Sequence, residues 1–209
     1  MPELPDITVY VERVQERLAG QTLRRIKLLN PFVLRTALPP IADAEGRKVL
    51  AAHRLGKRVV LALEGDLFLV IHLMIAGRLR WLLPGAKPPG KLALAAFEFD
   101  NGQLVLTEAG SKRRASLHLV LGEAALKAMD PGGLDVMAID LAAFHQRLQS
   151  ENHTLKRALT APQLFSGIGN TYSDEILHRE RLSPLALTRA LPADSIERLY
   201  GAAREVLNE

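Results

Sequence analysis

The chain has 209 residues and a mass of 23.0 kDa, with 48% hydrophobic and 24% charged residues. That balance excludes an intrinsically disordered chain and leaves room for one large domain or two small ones. Lys and Arg number 27 against 23 Asp and Glu, giving a net charge of +4 and a sequence pI of about 9.6. Excess cations suit phosphate-bearing partners, although a solvated cationic surface has the same composition. There is no cysteine, which excludes disulfides, thiol nucleophiles and Cys-ligated zinc within the chain.

No apolar run approaches the roughly 20 residues of a membrane helix, so no membrane partner is expected. The start, Met1-Pro2-Glu3-Leu4-Pro5-Asp6, is acidic and has no apolar core, unlike a signal peptide. The six His are scattered, without the i, i+4 pairing of a helical metal site.

Ile7, Val11, Val14 and Leu18 recur at helical spacing, and Gly20 follows as a stop. Eight short apolar-rich segments come next: 23–29, 49–53, 58–63, 67–73, 78–83, 92–99, 104–107 and 117–121. Hairpin signals lie between them at Glu64-Gly65-Asp66 and Asp100-Asn101-Gly102. A Pro- and Gly-rich loop, 84–90, interrupts the series. Such an array predicts a β-sandwich or barrel.

After Gly122 the pattern becomes helical. A turn at 124–129 ends at Asp130-Pro131-Gly132-Gly133. Helical stripes follow at Leu141/Phe144/Leu148, at 155–159, at Tyr172/Ile176/Leu177 and at Ile196/Leu199/Ala203/Val206. The expectation is an α+β chain. An N-terminal helix and two-layered β-sandwich fill 1–123, and an all-helical domain fills 124–209.

Four segments could carry chemistry. If Met1 is removed, Pro2 has a free secondary amine, which attacks an aldehyde-like carbon and makes an iminium electron sink. Glu3 beside it can move protons. If Met1 stays, the Pro2 nitrogen is an amide and cannot attack, and Met-Pro-Glu is equally a plain chain start. Gly167-Ile168-Gly169-Asn170 lies between two helical patterns. It reads as a phosphate cradle with Asn170 as N-cap, or as a tight helix corner. Ser111-Lys112-Arg113-Arg114 suits a nucleic-acid backbone or groove, or is a solvated charge run. Lys57, after Gly56 at a strand start, is an active cation or a hairpin residue.

Taken together, these segments are more specific than any one alone. Pro2-Glu3-Leu4-Pro5-Asp6, Gly56-Lys57, Ile71-His72-Leu73, Asp130-Pro131-Gly132-Gly133, Leu155-Lys156 and Gly167-Ile168-Gly169-Asn170 with Asp174-Glu175-Ile176-Leu177 occur in an order that resembles the formamidopyrimidine-DNA glycosylase / endonuclease VIII family. The resemblance runs along essentially the whole chain. It implies a β-sandwich joined to a helical domain with a helix-two-turn-helix element, and a bacterial, cytoplasmic, nucleoid-associated monomer. The implied partner is duplex DNA with a damaged base or abasic site. The implied activity is removal of oxidised bases in base-excision repair, through a Schiff base on the N-terminal proline and β/δ-elimination.

By the same resemblance, Pro2 is the nucleophile, Glu3 the acid/base on the sugar, and Lys57 a phosphate ligand and proton donor. Lys156 and Asn170 hold backbone phosphates, with Gly167 and Gly169 shaping the cradle. Ile75 stands at the position of a DNA-inserted Met, or is ordinary sandwich core; Arg113 stands at that of an inserted Arg beside Arg114, and Ala115 replaces the family's aromatic wedge. The family's four-Cys zinc finger has no counterpart here. Either it follows in a longer natural protein, or the chain belongs to a branch without it. No cofactor or metal is expected within this chain. The altered wedge positions keep an alternative open, a non-catalytic damaged-DNA-binding protein of the same fold. A phosphate-clamping RNA-associated protein finds no support in the β half.

Overall fold

A computed structural model describes residues 1–110 and 112–209, so Ser111 of the cationic run lies outside the described residues. The chain divides into two compact units. One comprises Met1–Pro2 and Asp6–Met129, the other Glu3–Pro5 and Asp130–Glu209.

The first unit is the expected sandwich. Helix α1 (Leu4–Leu18) precedes eight strands: β1 (Arg25–Leu28), β2 (Val49–Leu55), β3 (Arg58–Leu63), β4 (Leu67–His72), β5 (Gly77–Leu82), β6 (Ala93–Phe99), β7 (Gly102–Glu108) and β8 (Ser116–Leu121). They form two antiparallel four-stranded sheets, ordered β1-β6-β7-β5 and β2-β3-β4-β8. Side chains from both sheets meet in one core, including Leu61, Leu69 and Ile71 from one and Phe97, Leu104 and Leu106 from the other. Ile7, Val14 and Leu18 add the buried stripe of α1, as the spacing predicts.

Strands β3 and β4 read as continuous apolar runs because both of their faces are covered. The second face, Val60, Phe68 and Val70, packs against Leu126 and Met129. Those two belong to and follow the short helix α2 (Glu123–Lys127). The helical turn after Gly122 therefore stays with the sandwich, and the contacts divide the chain at Met129/Asp130.

The hairpin signals have a physical origin. Gly65 and Asp66 both adopt positive φ, as does Gly56 in the two-residue turn between β2 and β3. Leu55 pairs with Arg58 across that turn, so Gly56 takes the strained position and Lys57 occupies the second. Three further short turns carry little periodic signal: Pro31–Val33, Ile41–Ala44 and Gly90–Leu92 are 3₁₀ helices.

The second unit packs α3 (Leu141–Ser150), α4 (Leu155–Thr160), α5 (Asn170–Arg179) and α6 (Ala193–Asn208) around a separate core. Between α4 and α5 the chain makes two successive turns. The first is closed by Leu164 N–H and Phe165 N–H donating to Ala161 O. In the second, Ser166 N–H donates to Leu134 O. This is the helix-two-turn-helix arrangement. Phe144 lies at the centre, with ring centroids 4.9 Å from Phe165 and 5.3 Å from Tyr200. The Tyr200 hydroxyl donates to Ile139 O at 2.6 Å.

Because Phe144 is fully buried between two rings, Phe144→Ala is expected to cost about 3–5 kcal/mol. Urea unfolding followed by circular dichroism checks this.

Candidate nucleic-acid and catalytic site

In the helical unit the site is organised by Glu3. Its side chain is 1% exposed. Its carboxylate accepts from Gly169 N–H at 2.6 Å, Thr171 N–H at 3.0 Å and Tyr172 N–H at 3.2 Å. The first N–H groups of a helix have no partner within it. Here a carboxylate from the chain start supplies the acceptors and also sits at the positive end of the helix dipole. Leu4 N–H donates to Gly167 O at 2.9 Å, closing the same junction. Gly167 has φ +85°, and a Cβ there would lie 2.8 Å from the Leu4 Cβ. Glycine is therefore required on both backbone and steric grounds.

This geometry corrects two sequence expectations. Asn170 is not the N-cap; Gly169 holds that position, and Asn170 is the first residue of α5 with an exposed side chain. The amides of Gly169, Thr171 and Tyr172 are not offered to a phosphate either, since Glu3 already uses them. What the turn presents outward is the Asn170 side chain. Lys156, at the start of α4, is ion-paired with Asp174 of α5, so an incoming phosphate would compete with that carboxylate.

In the sandwich unit, Pro2 is buried and Met1 is exposed. With Met1 in place the Pro2 nitrogen is a peptide nitrogen. Lys57 lies in a cationic neighbourhood that sequence reasoning did not assemble. Burial pushes the His72 pKa down from 6.5 to about 4, and the charges of Arg58, Lys57 and His118 add to the shift. The His118 pKa is also lowered, by burial first and then by Arg58 and Arg35. Register explains the grouping: Arg58 pairs with His72 across β3 and β4, and His72 with Ser116 of β8. The available signal was a histidine ending an otherwise apolar, buried strand.

Ile75 sits at the tip of the tight link from β4 to β5. Gly77 N–H donates to Leu73 O at 2.9 Å, and a Cβ on Gly77 would come within 2.2 Å of that oxygen. The tightness turns Ile75 outward, 59% exposed. It is therefore a surface residue and not part of the sandwich core.

The cationic loop is held from within by Glu108, itself 1% exposed. Its carboxylate accepts from Arg114 N–H at 2.9 Å and Ala115 N–H at 3.0 Å. The Arg113 guanidinium donates to Lys91 O. Ala115 is drawn inward to 3% exposure: its side chain is core, and it supplies no wedge from that position. Arg113 and Arg114 remain exposed.

The chain is thus a β-sandwich followed by a helix-two-turn-helix unit, with a carboxylate from residue 3 capping the second helix of that motif. Family models agree: the formamidopyrimidine-DNA glycosylase N-terminal domain matches residues 1–115 and the formamidopyrimidine-DNA glycosylase H2TH domain matches residues 129–209. The chain belongs to the formamidopyrimidine-DNA glycosylase family. It is 36% identical over 215 residues to the formamidopyrimidine-DNA glycosylase of Thermus thermophilus, covering 100% of this chain and 75% of that protein. It is 34% identical to the same enzyme of Heliobacterium modesticaldum, covering 100% and 78%. Among solved structures, Lactococcus lactis formamidopyrimidine-DNA glycosylase bound non-covalently to DNA containing an abasic site matches with a TM-score of 0.89 at 24% identity. That match covers 99% of this chain and 80% of the other. MutM in complex with DNA containing carbocyclic 8-oxo-G matches with a TM-score of 0.90, also at 24% identity, covering 99% and 78%.

The chain's residues do not fit the zinc finger that the resemblance implies. The sequence has no cysteine, and no group of three His, Asp or Glu among the described residues could hold a metal.

Two measurements follow from this geometry. Ile75→Ala removes no core contact and is expected to change stability by less than about 0.5 kcal/mol, read as an almost unmoved melting curve. For His72 the folded pKa lies below the unfolded one. Between pH 6.5 and about 4 the unfolded chain binds the proton that the folded chain refuses, so stability falls as pH drops through that window. The His72 share is expected to reach about 3 kcal/mol at its low end. Denaturation of wild type and His72→Gln across the window should show the variant losing correspondingly less.

Proposed function

We propose that this protein is a DNA glycosylase of base-excision repair that removes oxidised bases from duplex DNA and cuts the strand at the resulting abasic site. The reading is supported by the family membership and carried by one observation, the buried Glu3 carboxylate fixed by three backbone N–H groups directly after Pro2. A binding protein of this fold also needs the Glu3 carboxylate to hold the start of α5, but it has no use for a proline that can become an N-terminal amine beside it. The names of the curated relatives speak for glycosylase action. The solved structures it resembles hold DNA with an abasic site or an altered guanine, which speaks for such DNA as partner.

In the proposed reaction Met1 is removed and the damaged nucleotide leaves the base stack, which makes C1′ reachable. The lone pair of the Pro2 amine forms the N–C1′ bond. The glycosidic bond breaks, its electrons leave with the base, the base takes up a proton, and the Pro2 nitrogen gives up its own proton, which frees the lone pair that forms the iminium. Glu3 moves the proton on the sugar ring oxygen as the ring opens to the iminium. The iminium accepts the electrons released when a C2′ proton is lost, and the 3′ phosphate departs. A second elimination expels the 5′ phosphate, and water releases the sugar fragment from Pro2. Lys57 acts as phosphate ligand and proton donor near the lesion. Lys156, Asn170 and Arg114 contact the DNA backbone; Arg113, held against Lys91 O, joins them in place of the inserted role that the resemblance implies, and Ile75 enters the space vacated in the stack. In this division of labour the sandwich unit, which runs to Met129, carries the attacking amine, and the helical unit from Asp130 onward serves DNA binding. The rival reading, a damage-binding protein of the same fold, rests on a buried Ala115 standing in place of the family's aromatic wedge.

Borohydride reduction separates the two readings. Protein whose intact mass shows loss of Met1 should be trapped covalently on a duplex with an abasic site, and Pro2→Gly or retained Met1 should reduce trapping severely. Glu3→Gln replaces an acceptor facing three N–H groups with an amide, so its melting curve must be measured beside its activity. It should suppress base excision more than cutting of a preformed abasic site. Full trapping by protein with Met1 demonstrably intact would falsify the proline mechanism, and binding without any trapping would favour the rival.

A further inference from the structure

Phe32 is 81% exposed, the most exposed large apolar side chain among the described residues. A phenyl ring in water is unfavourable, and this one is not on a slack loop. It sits in the 3₁₀ turn Pro31–Val33, where the Asn30 side chain accepts from Phe32 N–H at 3.1 Å. The turn is fastened on both sides. Leu29 and Asn30 N–H donate to Leu94 O on β6, and Arg35 N–H donates to Leu117 O on β8. Val33, next to Phe32, is 2% exposed and belongs to the sandwich core. The ring is therefore presented outward by a rigid frame, which lowers the ordering cost of any contact it makes.

Its neighbours indicate what that contact is. Phe32, Arg35 and Arg113 line one small cleft, with buried Ala115 at its base. Arg35, Lys91, Lys112, Arg113 and Arg114 are all exposed, and the Arg113 guanidinium is held against Lys91 O. An exposed aromatic ring rimmed by guanidinium groups matches the chemistry of an unstacked nucleobase, a π face flanked by phosphates. Because Glu108 pulls Ala115 inward, the cationic loop brings no apolar side chain of its own from that position.

We propose that Phe32 is a base-stacking residue of the DNA-binding surface, with Arg35 and Arg113 on the flanking phosphates. This rests on the reading of the chain as a protein of damaged DNA. The probe is a duplex with an abasic site and 2-aminopurine as the opposite base, whose fluorescence reports stacking. Wild type should alter that signal on binding. Phe32→Ala should leave the melting curve unchanged, weaken affinity about tenfold, near the low end of what one stacked base contributes, and abolish most of the fluorescence change. Phe32→Trp should keep both. Phe32→Ala with wild-type affinity, or with lost affinity but an unchanged fluorescence response, overturns the proposal. So does equal loss in the Ala and Trp variants. A wild-type protein with no affinity for the duplex overturns the DNA reading together with it.

Discussion

The bond set around Glu3 is the constraint on which the functional geometry depends. Helix α5 begins in a turn whose glycines cannot cap it with a side chain, and its first amides need acceptors inside the protein. The acceptors come from residue 3, more than 160 positions away. One carboxylate thereby does two things. It fixes the helix-two-turn-helix corner, and it immobilises the chain start at the residue beside Pro2. Removing an acceptor from buried N–H groups costs more than the bond itself contributes, because the donors are left unsatisfied. Chemistry and architecture are consequently coupled at this residue. Under the proposed reaction, a substitution at Glu3 disables proton transfer, loosens α5, or does both, and a substrate that bypasses the first step, read beside the melting curve, distinguishes them.

The fold was largely legible from sequence, because its signals are local. All eight strands overlap apolar-rich segments of the sequence, and the helices follow periodic stripes such as Ile7/Val14/Leu18 and Leu199/Ala203/Val206. The turns between strands are equally local, since Gly56 and Gly65 supply positive φ where a hairpin needs it. The site was legible as a set of residues but not as an arrangement. Asn170 has the chemistry of an N-cap, and nothing near it in sequence reveals that a distant carboxylate has the role. The inward pull on Ala115 likewise depends on Glu108, which reads as one more residue of an alternating strand until its carboxylate is seen beneath the loop.

Burial on both faces of β3 and β4 accounts for the titration behaviour of the sandwich unit. A strand covered on both sides has no wet face on which to place a polar side chain. His72 stands at the end of β4 where coverage is still high, and cross-strand register sets Arg58 beside it. Desolvation and like charge act in the same direction on a histidine, both favouring the neutral ring. His72 is consequently uncharged at neutral pH, and the positive charge of that region resides on Lys57 and Arg58. A neutral imidazole can donate one hydrogen bond and accept another, so this end of the strand offers a different contact from its cationic neighbours.

Exposed apolar groups held by rigid frames are the remaining common element. Ile75 is turned outward by a link so tight that only glycine fits at Gly77, and Phe32 by a turn tied to two strands. In each case core packing on one side of the turn holds an unfavourable exposure on the other. Leu73 and Val33 are buried within two positions of the exposed side chain. An isolated surface apolar residue needs no explanation, and other exposed leucines on this protein are of that kind. What sets these two apart is the immobility of the backbone beneath them. A flexible loop would let the side chain fold back onto the surface and lower its hydration cost, but these turns do not allow it. Groups inserted into a base stack must hold their position against stacking energies of a few kcal/mol per step, and a fixed turn meets that requirement where a mobile one would not.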